Sequence, residues 1–198
     1  MPHEDVGDFL CRILRAGNKL DTIIEELMLL AGVRKQEVVP APLDMGNIVR
    51  EAVERLDILV REQNGRITLP DEMAWPAALG YAPWVEQVWA NYISNAIKYG
   101  GQPPQITVGA DLTSLQSPSG QAMVRFWVQD NGPGLSVEAQ ASLFTPFTRL
   151  AQTRATGHGL GLSIVRRIVE KLGGEVGVES DGIPGRGSTF FFTLPASK

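Results

Sequence analysis

Between Val6 and Leu30 the apolar residues return on a seven-residue repeat: Val6, Ile13, Leu20 and Leu27 at one position, Phe9, Ala16, Ile23 and Leu30 at the other. That period predicts a long helix with a narrow apolar seam, the pattern of helices that pack along one another. No other stretch repeats the seam, so its partner is a second copy, a helix outside this chain, or the body of the domain. A helix docked on its own domain usually shows a wider stripe. The pattern starts abruptly, as expected of a piece of a longer parent. Val38–Pro42, with two prolines, reads as an extended linker or edge strand, and Asp44 can cap a helix running to about Gln63. The boundary is placed near Pro40, giving a helical segment over residues 1–39 and a domain over residues 40–198.

Beyond the boundary the pattern predicts strands at Arg66–Leu69 and Met73–Leu79, then a helix from Pro83 to Tyr99. Strands follow at Gln105–Asp111 and Met123–Gln129, joined through the Ser/Pro/Gly-rich hairpin loop Ser114–Gln121. A lid-like stretch runs from Leu135 to Gly157. A helix over Leu160–Leu172, closed by Gly173-Gly174, precedes strands at Glu175–Ser180 and Thr189–Leu194. Helices and strands mix without strict alternation, which predicts an α+β fold, a two-layer α/β sandwich.

Composition narrows the function. With 198 residues, 43% of them hydrophobic, the chain can bury one core plus an appendage. A formal charge of −4 with no basic run argues against a nucleic-acid or anionic-membrane surface, so any anion site is local. Cys11 is the single cysteine, so no internal disulfide forms and a reducing, cytoplasmic setting is expected. No stretch has the roughly 18–20 consecutive apolar residues that span a bilayer.

Three segments carry candidate chemistry. On the helix Pro83–Tyr99, Val85, Val88, Trp89, Tyr92 and Ala96 form one face, and Gln87, Asn91, Ser94, Asn95 and Lys98 the other. Asn and Ser compete with the helix for backbone hydrogen bonds, so their use on a merely solvated face is unexpected. Either the face meets another element, or the Asn91 and Asn95 oxygens meet Mg2+ and Lys98 meets phosphate. The strand Met123–Gln129 ends in Asp130-Asn131-Gly132-Pro133-Gly134: a plain turn, or a close backbone approach where Asp130 accepts from an adenine amino group. Gly157-His158-Gly159-Leu160-Gly161 opens a helix whose N–H groups suit a phosphate. It lacks the Gly-Lys-Ser/Thr of a P-loop, and Leu162 occupies the third glycine position of the dinucleotide pattern.

Taken together, the order and spacing of these segments resemble the ATP-binding catalytic domain of bacterial sensor histidine kinases, with its Bergerat nucleotide fold. Asn91–Tyr99 resembles the asparagine box, Asp130–Gly134 the first glycine box and Gly157–Gly161 the second. Leu143–Phe147 resembles the phenylalanine box and Gly185–Phe190 the last glycine motif. The resemblance covers about Val38 to Pro195. It implies that Asn95 ligates Mg2+ with Asn91 beside the metal, that Lys98 contacts phosphate, that Tyr99 flanks adenine and that Asp130 reads its amino group. Gly132, Gly134, Gly157, His158, Gly159, Leu160 and Gly161 then shape the pocket around ATP, and Leu135–Thr156 forms the lid. Phe144 and Phe147 anchor it. Arg149 and Arg154 either meet the terminal phosphates or are solvated, and Thr189 either lines the nucleotide or packs in its strand.

The same resemblance makes Phe9–Lys35 the second helix of a dimerisation and phosphotransfer hairpin, with its histidine-bearing first helix outside the chain. His3 precedes Glu4 as in the acceptor box, but Asp8 stands where that box has proline, so His3 is read as inter-helix loop. Tyr81 replaces the acidic residue often found before the asparagine-box helix, which bears on capping alone. Related ATPases place a glutamate base at the position of Asn91, and Asn cannot take a proton. The resemblance therefore implies transfer of the γ-phosphoryl of Mg-ATP to a histidine outside the chain, in a homodimeric parent that serves a response regulator. A nucleotide-sensing module without turnover and an anti-sigma-type serine kinase are the alternatives.

Overall fold

The computed structural model describes residues 9–10, 13–14, 16–17, 20, 24, 27–33, 35–71, 75–116, 120–145 and 159–197. The chain divides into two compact units, Met1–Gln36 and Glu37–Lys198. In the first, every described residue from 9 to 33, and residue 35, is helical (α1). Of the seam residues, Phe9, Ile13, Leu20 and Leu27 are exposed, as are Leu10, Leu14, Ile24 and Met28. Val6 and Ile23 lie outside the described residues. Among the described residues no helix is long and apolar enough to cross a membrane.

The second unit opens with β1 (Ala41–Pro42), antiparallel to β3 (Leu79–Gly80). Between them, Asp44 accepts the Asn47 N–H at 3.1 Å and starts α2 (Met45–Arg55). The single helix expected to Gln63 instead breaks at Leu56 into α2 and α3 (Asp57–Glu62). The reason is burial: α2 sinks Met45, Ile48, Val49 and Ala52, whereas α3 buries nothing and has no face to hold it on the same axis. Of the strand expected over Met73–Leu79, Met73 and Ala74 lie outside the described residues, and among the described ones only Leu79, in β3, and the bridge at Ala78 pair. Pro76 lacks an N–H for a ladder. Trp75 turns instead to the aromatic core, 5.9 Å from Trp89 and 6.4 Å from Phe126.

The main sheet contains β2 (Arg66–Thr68), β4 (Gln105–Gln116), β5 (Ala122–Gln129), β6 (Val176–Glu179) and β7 (Thr189–Pro195). Its order is β2-β4-β5-β7-β6, with β2 parallel to β4 and the other pairs antiparallel. β4 runs to Gln116, into what the sequence suggested was hairpin loop, because β5 continues to pair with it past an irregularity between Leu112 and Gln116. Ile106, Val108, Val124, Phe126, Val128, Phe190, Phe192 and Leu194 form the buried face. The long helices α4 (Ala82–Tyr99) and α6 (Gly161–Lys171) cover it. Trp89 stands edge-on to Phe192 at 5.1 Å, and the buried Tyr92 hydroxyl donates to the Phe191 carbonyl at 3.0 Å. Those contacts fix the rotation of α4, and with it the direction of the Asn91 face.

The other sheet face largely covers itself. Gly109, Trp127, Phe191 and Gly177 share one rung, with the Trp127 ring over Gly109 and the Phe191 ring over Gly177. Arg125 lies 4.2 Å above Phe191 and reaches Glu179 at 2.8 Å. The fold is thus α+β, a mixed five-stranded sheet with helices on one face.

Candidate functional site

Tyr81 caps α4 with its backbone alone: its carbonyl accepts from Trp84 and Val85 N–H, and its ring meets Trp84 edge-on at 5.3 Å. Along the helix Trp84, Val85, Val88, Trp89, Tyr92, Ile93, Ala96 and Ile97 are buried, while Gln87, Asn91, Ser94 and Asn95 are half-buried and Lys98 is exposed. The polar face divides in two. Gln87 is an inter-element contact, accepting from Arg55 at 3.2 Å. Asn91 and Asn95 instead meet each other, Asn95 Nδ2 donating to Asn91 Oδ1 at 3.1 Å. That bond turns Asn95 Oδ1 away from Asn91. Ser94 is spent on the helix, its hydroxyl donating back to the Asn91 carbonyl at 3.1 Å.

The first residue of α6 comes directly against this pair. A Cβ on Gly161 would overlap the Asn91 side-chain amide, so a glycine is what lets the two helices meet here. Leu160, the N-cap of α6, makes no side-chain cap hydrogen bond, and the first N–H groups of an α-helix have no partner within the helix. Such a terminus can take a phosphate. Gly159 is described; Gly157 and His158 lie outside the described residues, as do Phe147, Arg149 and Arg154.

Asp130 closes β5. Its Oδ1 accepts the Gly132 N–H at 2.7 Å and the Ser188 N–H at 3.3 Å, and its own N–H donates to the Ser188 carbonyl at 3.0 Å. The Gly132 carbonyl accepts from Gly185 at 2.9 Å and Gly187 at 3.1 Å. The loops 130–134 and 185–188 are therefore interlocked through backbone, and Asp130 Oδ2 is the oxygen left for an outside donor. Burial raises the Asp130 carboxyl above its ordinary range, a rise that the Gly132 and Ser188 N–H groups oppose. Tyr99 is half-buried at the end of α4, with its carbonyl against Gly132. Gly134 carries left-handed backbone, and the next residue, Leu135, is fastened by its N–H to Ser180 Oγ at 2.9 Å. The lid-like stretch starts there with α5 (Val137–Ser142), and Phe144 is half-buried.

Thr189 is placed away from this cluster. It pairs with Gln129 and Glu179 and shares the outer sheet face with Phe191, while the buried Ser188 supplies the N–H at Asp130. Sequence reasoning missed Ser188 because it singled out the neighbour one place along, and one residue switches the face of a strand. Asn131 was missed too; its side chain accepts from Gly101 and Gln105 N–H, each at 2.9 Å.

Among the described residues no group of three or more His, Cys, Asp or Glu side chains is placed to hold a metal ion. The free Asn95 oxygen, half-buried beside Asn91, suits a hard cation that takes most of its ligands from phosphate and water.

Residues 80–198 match the family described as histidine kinase-, DNA gyrase B-, and HSP90-like ATPase. The chain belongs to this family. The adaptive-response sensory kinase SasA of Parasynechococcus marenigrum is 34% identical over 194 residues, covering 96% of this chain and 49% of that protein. The chain thus spans about half the length of this and other curated relatives. Among solved structures, full-length ShkA in complex with AMPPNP superposes with a TM-score of 0.76 at 25% identity, over 96% of this chain and 39% of that one. Histidine kinase ThkA in complex with the response regulator TrrA shares the fold, with a TM-score of 0.70 at 22% identity, over 96% of this chain and 51% of that one.

Proposed function

We propose that the chain is the ATP-binding catalytic part of a two-component sensor histidine kinase and transfers the γ-phosphoryl group of Mg-ATP to a histidine outside it. The observation that carries this reading is Asn91. An amide cannot take a proton, and its oxygen already accepts from Asn95, so the helix offers no base there to activate water. Such a site favours a nucleophile that needs no activation, such as a neutral imidazole. The imidazole nitrogen forms the P–N bond as the bond to the β–γ bridging oxygen breaks, its electron pair leaving with ADP.

The residues position ATP for that transfer. Asp130 Oδ2 accepts from the adenine amino group, Tyr99 flanks the base, and Lys98 and the N–H groups at Gly159–Gly161 meet the phosphates. Mg2+ would be held by Asn95 Oδ1 with Asn91 beside it, and supplies charge neutralisation at the phosphate oxygens. The histidine-bearing partner helix packs on the exposed α1 seam in a homodimeric, cytoplasmic assembly, and a response regulator receives the phosphoryl group.

The test is to incubate the protein, extended upstream to include a histidine-bearing helix, with γ-labelled ATP. The expected label is acid-labile and alkali-stable on histidine. Acid-stable label on serine would sink the reading, and Mg-ATP binding without label would favour a sensing module.

A further inference from the structure

The nucleotide site proposed above draws on two elements that leave the core before they reach it. The last buried side chains are Ala96 and Ile97 on α4 and Val128 on β5; Lys98, Tyr99 and Asp130 lie beyond them. Each side is held in its own way. Asp130 is fixed by Gly132 and Ser188, and Asn95 by Asn91. Neither set of bonds joins one side to the other.

The geometry points to Asn131 as the positioning residue that joins them. Its Oδ1 accepts from the N–H groups of Gly101 and Gln105, both at 2.9 Å, and its Nδ2 donates to the Pro103 carbonyl at 3.1 Å. One side chain, next to Asp130, thus holds the entire loop from the end of α4 to the start of β4. The fit is close: a Cβ on Gly101 would stand 2.6 Å from Asn131 Nδ2, and one on Gly132 would stand 2.8 Å from the Tyr99 carbonyl. Asn131 touches neither base nor phosphate in the proposed site. It sets the spacing between the carboxylate that reads the base and the helix end that meets the phosphates.

Such a role has a signature that general loss of structure lacks. When two parts of one ligand bind two parts of a site, the linked ligand gains from their spacing, and each part alone does not. Misplacement by about 1 Å can cost up to roughly a hundredfold. The groups that Asn131 holds border on water, which can replace its bonds, so Asn131→Ala is expected to keep the fold.

The experiment titrates the full chain and its Asn131→Ala variant with Mg-ATP by calorimetry, and with adenosine and magnesium triphosphate by NMR. Mg-ATP is expected to weaken about tenfold or more in the variant, while the two fragments each stay within about twofold. Asn131→Asp keeps both accepting bonds but sets a carboxylate oxygen against the Pro103 carbonyl, and is expected to restore only part of the Mg-ATP affinity. Unchanged Mg-ATP affinity in a folded variant overturns the inference, as does equal weakening of Mg-ATP and adenosine. Should Asn131→Ala not fold, Asn131→Ser, a milder truncation of the same side chain, is read by the same rule. Failure of the unaltered chain to bind Mg-ATP overturns the proposed nucleotide site itself, and the inference with it.

Discussion

Asp130 and Asn91 both offer polar side chains to the candidate site, but their support differs in kind. Asp130 Oδ1 accepts from two backbone N–H groups on two loops, and those loops are locked to each other through Gly132, Gly185 and Gly187. Asn91 is held by Asn95, a side chain of its own helix, and by contact with Gly161. In the Asp130 loop, recognition and folding draw on the same backbone bonds. On the Asn91 helix the core residues face the sheet and the candidate ligands face away, so the two are separable. Substitutions that break those backbone bonds should therefore damage fold and binding together in the first region, whereas substitutions of the candidate ligands in the second should damage binding alone.

The largest effect is expected at Gly187. Its φ of +71° is left-handed, and a Cβ there would overlap the Asp130 carbonyl, a backbone group that cannot swing aside. The left-handed conformation alone costs a non-glycine residue about 1–2 kcal/mol. Gly187→Ala should therefore lower stability by at least about 2 kcal/mol in urea unfolding and abolish Mg-ATP binding. Normal stability with lost binding would show that the backbone bonds of this loop serve recognition without holding the fold.

Asp130→Asn separates recognition from the backbone bonds, because Asn keeps an oxygen for Gly132 and Ser188 but puts an amino group where Oδ2 stood. Binding of Mg-ATP should fall by the worth of a charged hydrogen bond, about 1.5–3 kcal/mol or roughly 10- to 150-fold. Stability should move the other way. Folding raises the Asp130 pKa, so the ionised carboxylate costs stability in full above the folded value, and the cost fades as pH falls through it. The variant should be the more stable protein at pH 7, with its advantage shrinking as the pH enters the carboxylate range. A thermal melt series checks the sign, and an advantage that grows at low pH would contradict it.

On the helix, Asn95→Ala removes an oxygen and a side-chain bond while every backbone bond survives. Ala is also the better helix former, by up to about 0.7 kcal/mol. Mg-ATP affinity should fall roughly tenfold, the worth of about one hydrogen bond to a charged ligand. ADP affinity measured with a chelator present should not change, and the melting temperature should hold or rise.

This contrast also marks what was legible in the chain beforehand. The Asn91 helix was readable because its two faces follow the 3.6-residue period and its burial depends on that period. Asp44 was readable as a cap because its partner, Asn47, is three residues away. Trp75 was not, because it leaves its strand for Trp89 and Phe126, contacts that no local pattern encodes. The support around Asp130 was equally hidden, since Ser188 lies 58 residues away and Asn131 reaches back 26 to 30 residues. The glycines there could be read as turns, but not as the places where one backbone meets another.

Gly161→Ala is the smallest expected effect and the closest test of the difference. Like Gly187, Gly161 has no room for a Cβ, but what it would strike is the Asn91 side-chain amide rather than backbone. A side chain can rotate away, and Ala in place of Gly in the first turn of a helix is favourable by at most the roughly 0.8–1 kcal/mol of a helix interior. The variant should be at least as stable as the parent, while Asn91 swings out of line with Asn95 and Mg-ATP affinity drops by roughly three- to tenfold. Two Gly→Ala changes, one against a movable side chain and one against backbone, would then have opposite effects on stability. A loss at Gly161 as large as at Gly187 would show that the helix junction is built like the Asp130 loop, with fold and binding resting on the same contacts.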